Sequence, residues 1–159
     1  MRKVLTSGLA VFAGMVSLPA NISKQQAPVG TPAPDYSHDA RLKTLQKFFH
    51  KAGCPAQHYS QQFLEAADTY DLDWRLLPSI SFIESTGGKA AKNNNLFGWD
   101  SGRAGFASPV ASIDAVGYRL AHSELYRDKD LDGILATYNP NEEYAGRVKT
   151  VMHQISPSE

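Results

Sequence analysis

One cysteine, no net charge and no long apolar run beyond residue 18 are what this 159-residue chain first withholds. Cys54 alone cannot close an internal disulfide, so stability has to come from packing. Sixteen basic residues balance sixteen acidic ones, so no large field exists to draw nucleic acid or an anionic membrane. The five histidines, His38, His50, His58, His122 and His153, lack metal-ligand spacing, and no Ser-centred nucleophile elbow or phosphate-binding Gly loop occurs. No metal and no cofactor is therefore expected. His50 and Cys54 are four apart, but Gly53 and Pro55 break the helix that would bring them together. What remains, 42% hydrophobic and 20% charged, is the composition of one globular domain with a modest core.

The N-terminus, "MRKVLTSGLAVFAGMVSLPA", has two basic residues, an apolar stretch from Val4 to Leu18 and then Pro19-Ala20. This is the pattern of a secretory signal over residues 1–20, and it predicts an exported protein, periplasmic or extracellular, with no stable membrane span once the signal is cleaved. Residues 21–37 carry Pro28, Pro32 and Pro34 with few large apolar side chains, the composition of a flexible tether. The folded domain is expected over 38–159.

That domain reads as helices joined by short connections, hence all-α, with at most a short hairpin or loop of extended chain. Leu42, Leu45, Phe48 and Phe49 mark one amphipathic face, and Phe63, Leu64 and Ala67 a second before Asp71. Ser108-Pro109 looks like an N-cap followed by Pro at the first helical position, opening a helix with Ile113, Val116, Leu120 and Ala121 inward. Tyr144, Val148, Val151, Met152 and Ile155 form one stripe of a last helix.

The most informative stretch is "FIESTGGKAAKNNNLFGWD", Phe82 to Asp100. A helix capped by Asp71 or Asp73 would carry Pro78 near its start, where it should remove one backbone bond and bend the first turns, and would end at Glu84, where a carboxylate opposes the macrodipole. Apolar neighbours and the negative helix end both raise a carboxyl pKa, which is what a general acid for glycosidic cleavage needs. Thr86, Gly87 and Gly88 would stop the helix and let backbone approach a ligand. Asn93, Asn94 and Asn95 offer amides suited to acetamido and hydroxyl groups, and Phe97 and Trp99 apolar faces for sugar rings.

The segment "AADTYDLDWRLLPSISFIESTGGK" resembles the helix-to-Glu-Ser segment of soluble lytic transglycosylases and related lysozyme-like proteins. "NNNLFGW" resembles the Asn-Asn-x-Phe-Gly segment of the bacterial endo-β-N-acetylglucosaminidase family, and "ATYNPNEEYAGRV" is similar to the downstream Tyr-Asn segment of such enzymes. The three lie in consistent order between Phe63 and Ile155. The resemblance implies a single lysozyme-like helical domain with a catalytic cleft, acting on peptidoglycan glycan strands. Glu84 would be the acid/base and Tyr138 its catalytic-site neighbour, with Ser85, Asn94, Asn95, Phe97, Trp99 and Asn139 binding substrate.

The chain also departs from the glucosaminidase pattern: only "WDSGRAG" separates the Phe-Gly motif from "FASPVASI", where a longer segment with a second acid is usual. Asp100, in a Gly-rich turn, reads as a turn former, and Glu142 and Glu143 as first-turn residues of the last helix. Three readings stay open at this point: cleavage of the β-1,4 bond between N-acetylmuramic acid and N-acetylglucosamine, a non-catalytic peptidoglycan-binding or assembly accessory on the same fold, or an exported hydrolase that uses the same Glu84 on chitin-like oligosaccharide.

Overall fold

The computed structural model describes residues 34–157. The expected signal segment and residues 21–33 of the expected tether lie outside the described residues. The packed domain starts before His38, because Tyr36 is buried and its hydroxyl donates to Asp68 at 3.0 Å. Six helices follow: α1 (Ala40–Lys51), α2 (Ser60–Tyr70), α3 (Leu76–Ser85), α4 (Pro109–His122), α5 (Leu131–Tyr138) and α6 (Glu142–Ile155). Among the described residues there is no named strand, only an isolated antiparallel bridge between Lys92 and Asn95. The described residues are mostly helical, as the patterning predicts, and no helix among them is long and apolar enough to cross a membrane.

Local chemistry explains where the helices start. The Asp39 carboxylate caps α1 by accepting from the Arg41 N–H at 2.7 Å, and the Arg41 guanidinium reaches on to Asp68 at 2.8 Å, tying α1 to α2. Ser108 caps α4 and Pro109 opens it, Asp130 caps α5, and Asn141 caps α6. Glu142 and Glu143 occupy the first turn of α6, where carboxylates complement the helix dipole. A tight 3-10 turn, Pro55–Tyr59, joins α1 to α2 and continues the chain where the sequence marked only a break.

Two expectations for α3 need correction. Asp71 does not cap it; that residue adopts the left-handed conformation that ends α2, while Asp73 accepts from the Arg75 N–H in the turn that leads in. Pro78 removes no helical hydrogen bond, because it is the third residue of α3 and the first four N–H groups of a helix have no partner four residues back.

The core is one cluster centred on Phe49, Phe63, Phe97, Leu77 and Ile80, all fully buried. Burying each such side chain is worth about 1.5–3 kcal/mol, so this cluster supplies the main driving force. Helix α3 packs on α6, and α2 on α4. The second crossing is close: a Cβ on Gly117 would stand 2.8 Å from the Tyr70 ring. The inward stripe of α6 from Tyr144 to Ile155 is buried at every predicted position. By packing α3 against this stripe, the fold sets Glu84 beside the N-terminal end of α6 and the Asn-rich loop.

Candidate active site

Helix α3 ends at Ser85 because Thr86 turns left-handed, with φ 53°. For a β-branched residue that conformation is strained, and it stands two residues after Glu84. Gly87 follows with φ 58°; a Cβ there would lie 2.8 Å from Cys54 Cβ, so the buried thiol packs against the helix end and serves as filling. Ser85 is buried, and its hydroxyl faces the Ser81 and Leu96 carbonyls at 3.1 and 2.7 Å while accepting from the Gly88 N–H. It clamps the helix end to the Asn loop.

That loop spends most of its amides on itself. Asn93 and Asn94 are left-handed, and the Asn94 amide donates to the Phe106 carbonyl at 2.9 Å. Buried Asn95 donates to the carbonyls of Trp99 and Ala104 and accepts from the N–H groups of Phe97 and Trp99. Its side chain is thus the pin on which residues 95–104 turn. Asp100, ion-paired with Arg103 at 2.7 Å, is a turn former as expected.

The loop and the helix end enclose a groove of about 280 Å³, lined by Glu84, Ser85, Ala90, Lys92, Asn95, Gly98, Ser101 and Gly102. Glu84 is the one carboxylate among them. Its position depends on Gly98: a Cβ built there would lie 2.6 Å from Glu84 Oε2, and φ at Gly98 is +60°. The Phe-Gly motif therefore makes room for the acid, with the carboxyl group resting against loop backbone.

Burial pushes the Glu84 carboxyl above its ordinary range, while the neighbouring Tyr144 hydroxyl and the positive charge of Arg147 pull it back. The Tyr144 contact is looser than a hydrogen bond, since that buried hydroxyl has no hydrogen-bond partner. Its proximity to Glu84 is nonetheless enough to bias both groups, and burial together with the acid holds Tyr144 as a neutral phenol. Glu84 forms no ion pair with any described residue.

Tyr138 lies behind this pair. Its ring stacks on Tyr144 at 5.9 Å between centroids, and its hydroxyl donates to the Phe97 carbonyl at 2.6 Å. Burial, reinforced by Tyr144 and Glu84, raises its pKa well above the ordinary phenol range, so it is a fixed donor and no base. It anchors the loop that cradles Glu84.

The structure thus brings Glu84, Ser85 and Asn95 to one groove and places the other sequence-predicted binders differently. Phe97 is a correction: its ring is fully buried in the core beside Phe63, so it cannot face a ligand, because an apolar side chain on a tight loop gains more from the core than from the rim. Trp99 is half-buried, edge-on to Tyr138 and covered by the Arg119 guanidinium 5.2 Å from its ring centre. Asn139 closes α5 and accepts from the Asn141 N–H. None of these three lines the groove.

Tyr144, Gly98, Lys92 and Arg147 were not singled out for the site by the sequence. For Tyr144 the signal was present: a hydroxyl-bearing residue at the start of an otherwise apolar stripe needs a polar neighbour when buried. Comparison with protein-family models, curated proteins and solved structures gives no match to this chain.

Proposed function

We propose that this protein cleaves peptidoglycan glycan strands at the β-1,4 bond between N-acetylmuramic acid and N-acetylglucosamine, as a lytic transglycosylase or glucosaminidase-type enzyme working with one carboxyl group. The observation that carries this reading is Glu84: half-buried in a groove, unpaired, raised in pKa, and the only carboxylate in the lining. The three ordered motifs point to the same chemistry. Export to the periplasm or the cell exterior, where the substrate lies, belongs to the same proposal.

In its protonated form Glu84 delivers its proton to the glycosidic oxygen as the C1–O bond breaks, leaving positive charge at C1 of the muramoyl ring. Two-carboxylate glycosidases use a second acid to attack C1 or to activate water. With one acid in the lining, the substrate's own C6 hydroxyl serves as nucleophile: its oxygen bonds to C1 and its proton passes to the Glu84 carboxylate. The acid is restored, no water is consumed, and the product ends in a 1,6-anhydro ring. Tyr138 holds the loop that cradles Glu84, and the Tyr144 hydroxyl is placed to stabilise the transient carboxylate.

The test is mass spectrometry of soluble products from peptidoglycan sacculi incubated with the full-length chain, beside Glu84→Gln. Anhydro-muramoyl ends absent from the variant digest support the one-acid route. Reducing ends that depend on Glu84 would replace it with hydrolysis, and no product from either protein would leave only the non-catalytic binding reading.

A further inference from the structure

Lys92 lines the same groove as Glu84. Its backbone is held, since the Lys92 carbonyl accepts from the Asn95 N–H at 2.9 Å and the two residues form the bridge that closes the Asn loop. Of the other cations on these segments, Lys89 donates to the Ala52 carbonyl, Arg103 pairs with Asp100 and Arg119 covers Trp99, while Arg147 acts on Glu84 without lining the groove. The Lys92 ammonium makes no ion pair or side-chain hydrogen bond with a described residue, and the charge that acts on Glu84 is that of Arg147. Ala90, Gly98, Ser101 and Gly102, all small, line the same groove. The groove therefore offers a ligand one proton donor, Glu84, and one uncommitted positive charge.

A neutral amino-sugar polymer gains little from such a charge, whereas a sugar carrying a carboxylate near its ring gains an ion pair and a charge-assisted hydrogen bond. We propose that Lys92 is the carboxylate-binding residue of this groove and selects acidic amino-sugar strands over neutral ones. The inference rests on the groove being a glycan site. The carboxylate has two sources in peptidoglycan, the lactyl group of a stripped strand and the stem peptide of an intact one.

The experiment titrates the full-length chain carrying Glu84→Gln, so that ligands stay whole, with four oligosaccharides of equal length. These are a muramoyl strand with free lactyl carboxylates, the same strand with those groups amidated, a strand bearing stem peptides, and a chitooligosaccharide. The free acid is expected to bind about three- to fivefold more tightly than its amide, the scale of a partly exposed ion pair. The preference should vanish in Lys92→Met, persist in Lys92→Arg and shrink at about 0.5 M salt. Lys92 is exposed, so these substitutions leave the core untouched.

Tight binding of the peptide-bearing strand, lost in Lys92→Met, would make the stem peptide the carboxylate source; preference for the stripped strand alone would make it the lactyl group. An acid preference unchanged in Lys92→Met overturns the inference. Equal binding of all four strands also overturns it while leaving the glycan reading intact. Binding of none removes both.

Discussion

Replacing Gly98 by alanine separates the site from the scaffold. The new Cβ would stand 2.6 Å from Glu84 Oε2 and 3.4 Å from the carboxyl carbon, so the carboxylate must retreat by roughly 1 Å to reach an ordinary contact distance. The colliding atom is the tip of a flexible side chain, which turns away at little cost in packing. The stability loss is then mainly that of a side chain held at positive φ, about 1–2 kcal/mol. Activity suffers more, because a misplacement of about 1 Å of a reacting group can cost roughly 100-fold. Urea denaturation followed by tryptophan fluorescence gives the first quantity, and anhydro-product release from sacculi the second. Wild-type turnover in Gly98→Ala would refute the claim that this glycine cradles the acid.

Other substitutions probe the neighbours. Glu84→Gln should be more stable than wild type at neutral pH, because a carboxyl whose folded pKa is raised contributes stability below its unfolded pKa and loses it as pH rises through the folded one. Denaturation midpoints measured from pH 8 down to pH 4 should show that advantage shrinking; an advantage that is flat or grows toward acid contradicts the buried-acid assignment. Tyr144→Phe removes a hydroxyl that lowers the Glu84 pKa, so the alkaline limb of the activity profile should move to higher pH with little stability lost. Tyr138→Phe leaves the Phe97 carbonyl without its donor, with an expected cost of about 1–2 kcal/mol measurable as a lower urea midpoint. Thr86→Gly relieves about 1–2 kcal/mol of left-handed strain against about 0.4–1 kcal/mol of added chain entropy, so a small rise in melting temperature is expected.

The helices were legible in the sequence wherever the apolar period was long and the cap chemical. The stripe of α6 and the Ser108-Pro109 start of α4 follow from residue spacing alone. Helix α5 has only eight residues, too few for its period to stand out, and the 3-10 turn after Pro55 carries no apolar repeat. At the site, local logic placed Glu84 at a helix end but could not say what faces it. That depends on α6 bringing Tyr144 across from 60 residues later and on Gly98 leaving room. The asparagines were readable as polar and not as self-satisfied, because the partners of Asn95 are backbone groups that meet it only once the loop has turned.

The central claim is that Glu84 alone serves as acid and then base on a glycan strand. Its most direct test is the identity of the product ends that the full-length chain releases from sacculi. Soluble muropeptides ending in 1,6-anhydro-N-acetylmuramic acid, formed by wild type and not by a folded Glu84→Gln, are the predicted result. Equal release by wild type and Glu84→Gln would contradict it.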